Sequence, residues 1–235
     1  MFDLFRDGLL SIFYPTECAG CGRYIKEFKY IYICPECYGS MRSLPANVCP
    51  ACAKPLQSEH TSGCRECRER KNQFSYVKPA GVYEGALKEM IHYMKFNDKK
   101  GAAKLLASFM LERIGREIFA GADMLVPAPL SKSSYEERGY NQTESVAGFL
   151  SKATGIPVVN AVLKVKDTLP QNKLDRKERM KNLKGAFEVS ADVMGKTVII
   201  VDDVFTTGAT VNEMAKILIK AGAVEVRGIT AARSV

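Results

Sequence analysis

Apolar residues in the C-terminal two thirds of the chain follow two different spacings. Within residues 85–96 they recur every three or four positions, which predicts a helix with one buried face. The residues of that face are Leu87, Met90, Ile91 and Met94. Residues 198–201 are instead consecutive β-branched apolar residues, as expected of an internal strand that is covered on both faces. Helical and extended segments therefore alternate in this region.

Further segments continue this alternation. The predicted strands span residues 77–83, 123–126, 158–163, 197–201 and 224–229. The predicted helices span residues 85–96 and 102–119; a third begins at residue 141, and a fourth follows the 197–201 strand and ends at Ala221. Asn141 and Glu144 have the spacing of a capping box at a helix start. This order of elements indicates an α/β fold in which helices cover both faces of a parallel sheet. Ligands of such sheets bind at the carboxyl ends of the strands.

All eight cysteines precede this region and form four CxxC pairs, separated by 12, 11 and 11 residues. The nearly constant step indicates a duplicated unit. Two CxxC turns can place four thiolates in a tetrahedron around zinc, and four thiolates leave the metal no open position for catalysis. Disulfides and a redox centre are the alternatives, but neither suits eight paired cysteines in a cytoplasmic chain. We therefore predict two structural zinc ions in two zinc ribbons.

Consecutive pairing of the CxxC motifs gives the two predicted ligand sets. It closes shorter loops than crossed pairing, which stays an alternative. The first zinc then binds Cys18, Cys21, Cys34 and Cys37, and the second binds Cys49, Cys52, Cys64 and Cys67. The chain accordingly divides into an N-terminal segment with a double zinc ribbon at residues 1–71 and a larger domain at residues 76–235. The ribbons serve either as a scaffold or as a docking surface for nucleic acid or protein.

Composition and charge narrow the class of protein. With 46% hydrophobic and 26% charged residues, the 235-residue chain is expected to fold. Apolar runs fall short of the ~20 residues that cross a bilayer, and the first residues lack a signal-peptide layout, so we expect a cytoplasmic protein. Of the net charge of +8, residues 164–184 carry +5, from 8 basic and 3 acidic side chains. This segment is either an anion-binding surface or a solvated loop.

An acidic pair and a loop of small residues follow the strand predicted at residues 197–201. The loop consists of Thr206, Thr207, Gly208, Ala209 and Thr210. It opens a helix, and the first amides of a helix can bind a phosphate. The carboxylates of Asp202 and Asp203 can accept hydrogen bonds from a diol one sugar-width away, so the pattern predicts a ribose 5-phosphate ligand. A magnesium-binding acidic pair and a plain helix cap after surface aspartates are the alternatives.

Residues 198–210 resemble the signature with which type I phosphoribosyltransferases bind phosphoribosyl pyrophosphate (PRPP): four apolar residues, two acids and a Thr-Gly-x-Thr loop. With the four CxxC pairs and segments 83–96, 126–129 and 138–142, nearly the whole chain resembles the ComF family of competence proteins. The resemblance implies a double zinc ribbon joined to a type I phosphoribosyltransferase-like α/β fold, a parallel sheet flanked by helices. It also implies PRPP with magnesium as ligand, single-stranded DNA and other competence proteins as partners, and a role in natural transformation.

The resemblance further implies which residues contact the ligand. Backbone groups of Ala128, Pro129, Leu130 and Ser131 would bind the pyrophosphate, and a hood loop with Lys173, Arg176, Lys177 and Arg179 would cover the reacting centre or contact DNA. Purine-salvage members of the fold carry an acid where this chain has Thr206, so oxopurine salvage is not expected.

Three functions stay open at this stage. The first is a PRPP-binding, phosphoribosyltransferase-like protein that handles single-stranded DNA during transformation. The second is a metabolic phosphoribosyltransferase with an unknown acceptor. The third is a zinc-dependent adaptor without catalysis, and the sequence leaves open whether the protein is an enzyme.

Overall fold

The computed structural model describes residues 17–25, 32–57, 63–69, 71–96, 100–166 and 182–235. Four strands form the central sheet: β1 (Val77–Val82), β2 (Met124–Pro127), β5 (Thr197–Phe205) and β6 (Glu225–Arg233). Their order is β1-β6-β5-β2, and all neighbours are parallel. This confirms the predicted parallel sheet and places the 197–201 strand in its interior.

Two strand predictions need correction. The interior strand β5 continues through the acidic pair to Phe205, because it stays paired with β6 as far as Arg233. The strand predicted at residues 158–163 is interrupted: Val158 forms one isolated bridge to Leu125, and a separate strand β3 (Val162–Lys164) pairs antiparallel with β4 (Phe187–Val189).

Seven helices lie in the described part of the chain: α1 (Pro35–Gly39), α2 (Arg65–Glu69), α3 (Gly85–Phe96), α4 (Lys100–Ile114), α5 (Lys132–Arg138), α6 (Gln142–Thr154) and α7 (Ala209–Lys220). The helix predicted at residues 102–119 was too long. It ends at Ile114, because Gly115 adopts the left-handed conformation with φ +80°, and a separate 3₁₀ turn follows at Glu117–Phe119. None of the seven is long and apolar enough to cross a bilayer.

One short helix was missed, and one cap differs from the prediction. Helix α5 begins after Ser131, whose hydroxyl accepts a hydrogen bond from the Ser134 amide. At the start of α6, Asn141 accepts from the Thr143 amide as a cap should. In a capping box the Glu144 side chain would bond back to the Asn141 amide. Here the Glu144 carboxylate instead accepts a hydrogen bond from the Asn160 side chain.

The two faces of the sheet support separate hydrophobic clusters. Ile199 and Val201 of β5 belong to a cluster with α3, α4 and α6, and this cluster contains the whole predicted face of α3. Val198 and Ile200 point the other way, into a cluster with α7 and the antiparallel pair β3–β4. Alternate residues of one strand thus bury side chains on opposite faces.

Each zinc ribbon packs on a different face of the sheet. The first ribbon contacts α3 and α4, where the Tyr32 and Tyr93 rings lie 5.6 Å apart and the Tyr38 hydroxyl donates to Glu112 at 2.8 Å. The second ribbon continues into β1 and joins the cluster of α7. The proposed division into residues 1–71 and 76–235 stays a prediction, and residues 1–16 lie outside the described part of the chain.

Candidate functional site

The phosphate loop, residues 206–210, connects the carboxyl end of β5 to the start of α7. Gly208 is the N-cap of α7 and has φ +75°. A side chain at this position would be strained, and its Cβ would lie 2.5 Å from the Phe205 ring. As a glycine, the cap has no side-chain oxygen of its own, and Ala209 donates to the Thr207 hydroxyl at 3.3 Å. The first amides of α7 therefore lie at the carboxyl end of β5, as the predicted phosphate site requires, and anion binding there stays a prediction.

The two aspartates before the loop have different surroundings. Asp203 forms an ion pair at 2.7 Å with Lys95 of α3, in which the two side chains are 13% and 19% exposed, and Gln142 of α6 donates to the same oxygen at 3.3 Å. Burial alone would raise the pKa of Asp203, but the charge of Lys95 and these hydrogen bonds hold it below its usual range. Asp203 is therefore a fixed carboxylate.

Asp202 is in the opposite situation. Burial and the neighbouring charge of Asp203 raise the pKa of Asp202 to about 7. The hydrogen bond from the Asp203 amide at 2.8 Å and the charges of Lys95 and Lys164 lower this pKa, but they do not offset the increase. The ionised form of Asp202 is the one that accepts hydrogen bonds from a diol on both oxygens. The sequence could not rank these two aspartates, whereas the structure separates a structural carboxylate from one that titrates near neutrality.

The turn after β2 lies beside this acidic pair. The Ala128 amide donates to Val201 of β5 at 2.8 Å, so the turn begins at the strand end that Asp202 continues. The Ala128 carbonyl accepts hydrogen bonds from the side chains of Asn141 and Thr143 at 3.2 Å and 2.7 Å. Residues 128–131 are thereby fixed at the same edge of the sheet as the phosphate loop, which is where the resemblance puts the pyrophosphate.

The cysteines form two compact groups with the predicted consecutive pairing. Within each group, the four sulfur atoms lie within 4.8 Å of one another. A tetrahedral zinc with sulfur bonds of about 2.3 Å places its ligands about 3.8 Å apart. The Cys21–Cys34 and Cys52–Cys64 sulfur pairs, at 3.9 Å and 3.7 Å, match this value. Both tetrads therefore fit structural zinc.

Hydrogen-bond donors surround these sulfur atoms, as thiolates require. The Cys34 amide donates to the Cys18 sulfur at 3.2 Å, and Arg23 donates to Cys21 at 3.4 Å. In the second ribbon the Asn72 side chain donates to Cys67 at 3.3 Å. Bound zinc supplies each ribbon with a cross-link and with folding energy, because the ligand set exists only in the folded state.

Comparison with known proteins matches both parts of the chain. Residues 9–68 match the double zinc ribbon domain, and residues 131–234 match the phosphoribosyl transferase domain. The chain is 30% identical to DNA utilization protein YhgH of Escherichia coli K12 over 200 residues, 83% of this chain and 87% of that protein. It is 29% identical to Competence protein F of Haemophilus influenzae over 228 residues, 94% of this chain and 91% of that protein. The chain belongs to the ComF family.

A further relative of this ComF-family chain is Competence protein ComFC of Streptococcus pneumoniae, which is 28% identical over 203 residues. The match covers 86% of this chain and 87% of that protein. The predicted combination of a double zinc ribbon and a phosphoribosyltransferase domain is therefore confirmed.

The structure also adds residues to the ComF site that the sequence did not indicate. Lys95 and Gln142 bind the Asp203 carboxylate. The segments that contain these two residues contributed to the family resemblance, but the sequence alone indicated no role in the site for either residue. Arg233, the last residue of β6, packs over the Phe205 ring just before the phosphate loop. The predicted hood-loop residues Lys173, Arg176, Lys177 and Arg179 lie outside the described part of the chain, so their position stays a prediction.

Proposed function

We propose that this ComF-family protein binds PRPP with magnesium at its phosphate loop and acts in handling single-stranded DNA during natural transformation. The observation that carries the proposal is the glycine-capped start of α7 beside Asp202, at one edge of the sheet. The helix amides suit the 5-phosphate, and the carboxylate suits the ribose hydroxyls. The backbone of residues 128–131, at the neighbouring strand end, suits the pyrophosphate.

Magnesium fits this arrangement through oxygen donors. Mg²⁺ in proteins is commonly held by one or two carboxylates together with substrate phosphate oxygens and water. Here the metal would lie on the pyrophosphate and ribose oxygens of the ligand, while the Asp202 carboxylate accepts from the ribose hydroxyls, because Asp203 is already paired with Lys95. The metal supplies neutralisation of the pyrophosphate charge, while the protein orients the ribose and the 5-phosphate.

The acceptor of any transfer reaction is a separate matter. Thr206 replaces the acid of the purine-salvage enzymes, so the proposal is PRPP binding without oxopurine salvage. Release of pyrophosphate with a nitrogen nucleophile would identify a metabolic phosphoribosyltransferase instead. Loss of a protein partner on deletion of residues 1–71, with PRPP binding intact, would identify an adaptor.

The DNA part of the proposal rests on charge and on family membership. Residues 164–184 carry +5 of the net charge of +8, and cations that contact phosphates give salt-dependent affinity for single strands. The similar proteins include two competence proteins and a DNA utilization protein. In this proposal the protein lies in the cytoplasm, binds incoming single strands through this charge and contacts other competence proteins.

The PRPP site is tested by calorimetric titration of PRPP with magnesium. Asp202→Asn keeps the shape of the side chain and the Lys95–Asp203 pair but removes the carboxylate. We expect its affinity to fall at least tenfold, which is about 1.4 kcal/mol. Asp192→Asn, in the loop before the amino end of β5, is the matched control and should bind like wild type. Equal affinities of both variants would remove Asp202 from the site.

The DNA surface is tested with a triple variant, Arg176→Ala, Lys177→Ala and Arg179→Ala. Its affinity for a single-stranded oligonucleotide should fall, and the dependence of affinity on salt should become shallower. The control replaces the exposed residues Lys88, Lys104 and Lys220 by Ala, which changes the net charge equally. The same loss in both triple variants would show that only total charge matters and would remove the hood loop from the proposal.

A further inference from the structure

A cleft of 190 Å³ separates the second zinc ribbon from the phosphate loop. Cys52, Cys64 and Cys67 of the ribbon line one wall, and Thr206, Thr207 and Gly208 of the loop line the other. The cysteine tetrad of the second ribbon and the start of α7 therefore line the same cleft.

Arg233 bridges the two walls of this cleft. Its side chain is buried, and its guanidinium donates to the backbone carbonyl of Cys52, a zinc ligand, at 2.6 Å. The same guanidinium lies over the Phe205 ring, with its carbon 5.0 Å from the ring centroid. The Nε atom of Arg233 is buried and has no hydrogen-bond partner among the described residues. Loss of the bond to Cys52 would leave more of this buried charged group unpaired, at a high cost in free energy.

Phe205 connects this contact to the phosphate loop. Its ring lies directly against Gly208, which leaves no room for a side chain there. The Phe74 ring meets it edge-on at 6.1 Å, and the Ser234 amide donates to the Phe205 carbonyl at 3.0 Å. A shift of Phe205 would therefore move Gly208, whose conformation sets the direction of the amides at the start of α7.

We propose that Arg233 is a positioning residue through which the second zinc ribbon holds the phosphate loop in its anion-binding conformation. The ribbon fixes the Cys52 carbonyl, that carbonyl fixes Arg233, and Arg233 presses Phe205 against Gly208. High affinity for a phosphoribosyl ligand then requires a folded second ribbon. The affinity part of this inference rests on the proposed function, whereas the order of the loop does not.

The test compares two arginines of β6, Arg233→Ala and Arg227→Ala. Arg227 also donates to backbone carbonyls, those of Ile118 and Ala120, but it lies near the amino end of the strand. Without ligand, hydrogen exchange of the Ala209 and Asn212 amides, which donate to the Thr207 hydroxyl and the Gly208 carbonyl, should be about tenfold faster in Arg233→Ala and unchanged in Arg227→Ala. The affinity for PRPP with magnesium should fall about tenfold in Arg233→Ala alone, with two zinc ions still bound per chain.

A second variant keeps the proposal testable if Arg233→Ala does not fold. Phe205→Leu retains an apolar core residue and the bond from Arg233 to Cys52 but removes the ring that contacts Gly208. It should give the same faster exchange at Ala209 and Asn212 with full zinc content. Unchanged exchange in folded Arg233→Ala or Phe205→Leu protein would overturn the proposal. Failure of wild type to bind PRPP would overturn the proposed function, and the exchange contrast would still decide the positioning role.

Discussion

The two zinc ribbons share their architecture but not their surroundings. In both, the first cysteine amide donates to the residue five positions later, as Cys18 does to Arg23 and Cys49 to Lys54. In both, a short helix follows the third cysteine. Yet the first ribbon packs on α3 and α4, and the second packs beside the phosphate loop on the other face of the sheet.

This difference shows that duplication of a zinc unit need not duplicate its contacts. The first ribbon supports α3, where Gly20 lies close to Ala86, and α3 in turn carries Lys95 to Asp203. The Cys52 carbonyl of the second ribbon accepts from Arg233, which packs over Phe205 just before the phosphate loop. The first ribbon is thus connected to Asp203 by way of a whole helix, and the second lies next to Arg233 and Phe205.

The largest expected effect comes from removing one ligand of each zinc. Cys64→Ser and Cys37→Ser should each lose one zinc per chain and on the order of 4 kcal/mol of unfolding free energy, since the site contributes folding energy directly. PRPP affinity at a temperature where both variants stay folded should fall at least about tenfold in Cys64→Ser and less than about threefold in Cys37→Ser. Zinc analysis, denaturant unfolding and calorimetry measure the three quantities. Equal losses of affinity would abolish the distinction between the ribbons.

The next effect concerns the two aspartates, which, like the two ribbons, are adjacent in the chain but have different surroundings. Asp203 is held ionised by Lys95 from the side of the first ribbon, whereas the pKa of Asp202 is raised to about 7. Ribose binding requires the ionised form of Asp202, so affinity should rise with pH as Asp202 loses its proton. Between pH 6 and pH 8 the gain should be about tenfold, or 1.4 kcal/mol. Because the ligand itself titrates, calorimetry on Asp202→Asn provides the baseline, and an identical pH profile in that variant would contradict the assignment.

The smallest effect concerns one turn position that the ribbons fill differently. Four residues after the first cysteine, the first ribbon has Gly22 with φ +72° and the second has Ala53 with φ +55°. An alanine in the left-handed region costs about 1 kcal/mol relative to glycine. Ala53→Gly should therefore stabilise the protein by roughly that amount, and Gly22→Ala should destabilise it similarly, in denaturant unfolding. Stabilisation by both substitutions would show that the turns are not equivalent.

The sequence was informative where the signal is local. Each CxxC pair, the β-branched run of β5 and the small-residue loop needs only neighbouring residues to define it, and each was placed correctly. Helix α5 was missed although its cap is also local, because its seven residues show no long apolar period. The end of α4 was misplaced because apolar residues of the following 3₁₀ turn, including Ile118 and Phe119, continue the helical pattern past Gly115.

Contacts between distant residues were beyond the sequence. The Arg233–Cys52 bond joins residues 181 positions apart, and the Lys95–Asp203 pair joins two elements on different parts of the chain. A lysine at the end of an amphipathic helix is ordinarily a solvated cation, so only the fold shows that this one is buried against a carboxylate. The same holds for Asp202, whose raised pKa depends on burial that no motif reveals.

The most direct test of the account is a titration of PRPP with magnesium into zinc-loaded protein, with and without a single-stranded oligonucleotide. We expect binding to wild type, loss of binding in the double variant Asp202→Ala and Asp203→Ala, and a change in PRPP affinity when the oligonucleotide is bound. Because coupling between two ligands is reciprocal, PRPP should change the affinity for the oligonucleotide by the same factor. An absence of PRPP binding to folded wild type carrying both zinc ions would contradict the proposed PRPP site and leave a zinc-dependent adaptor as the function.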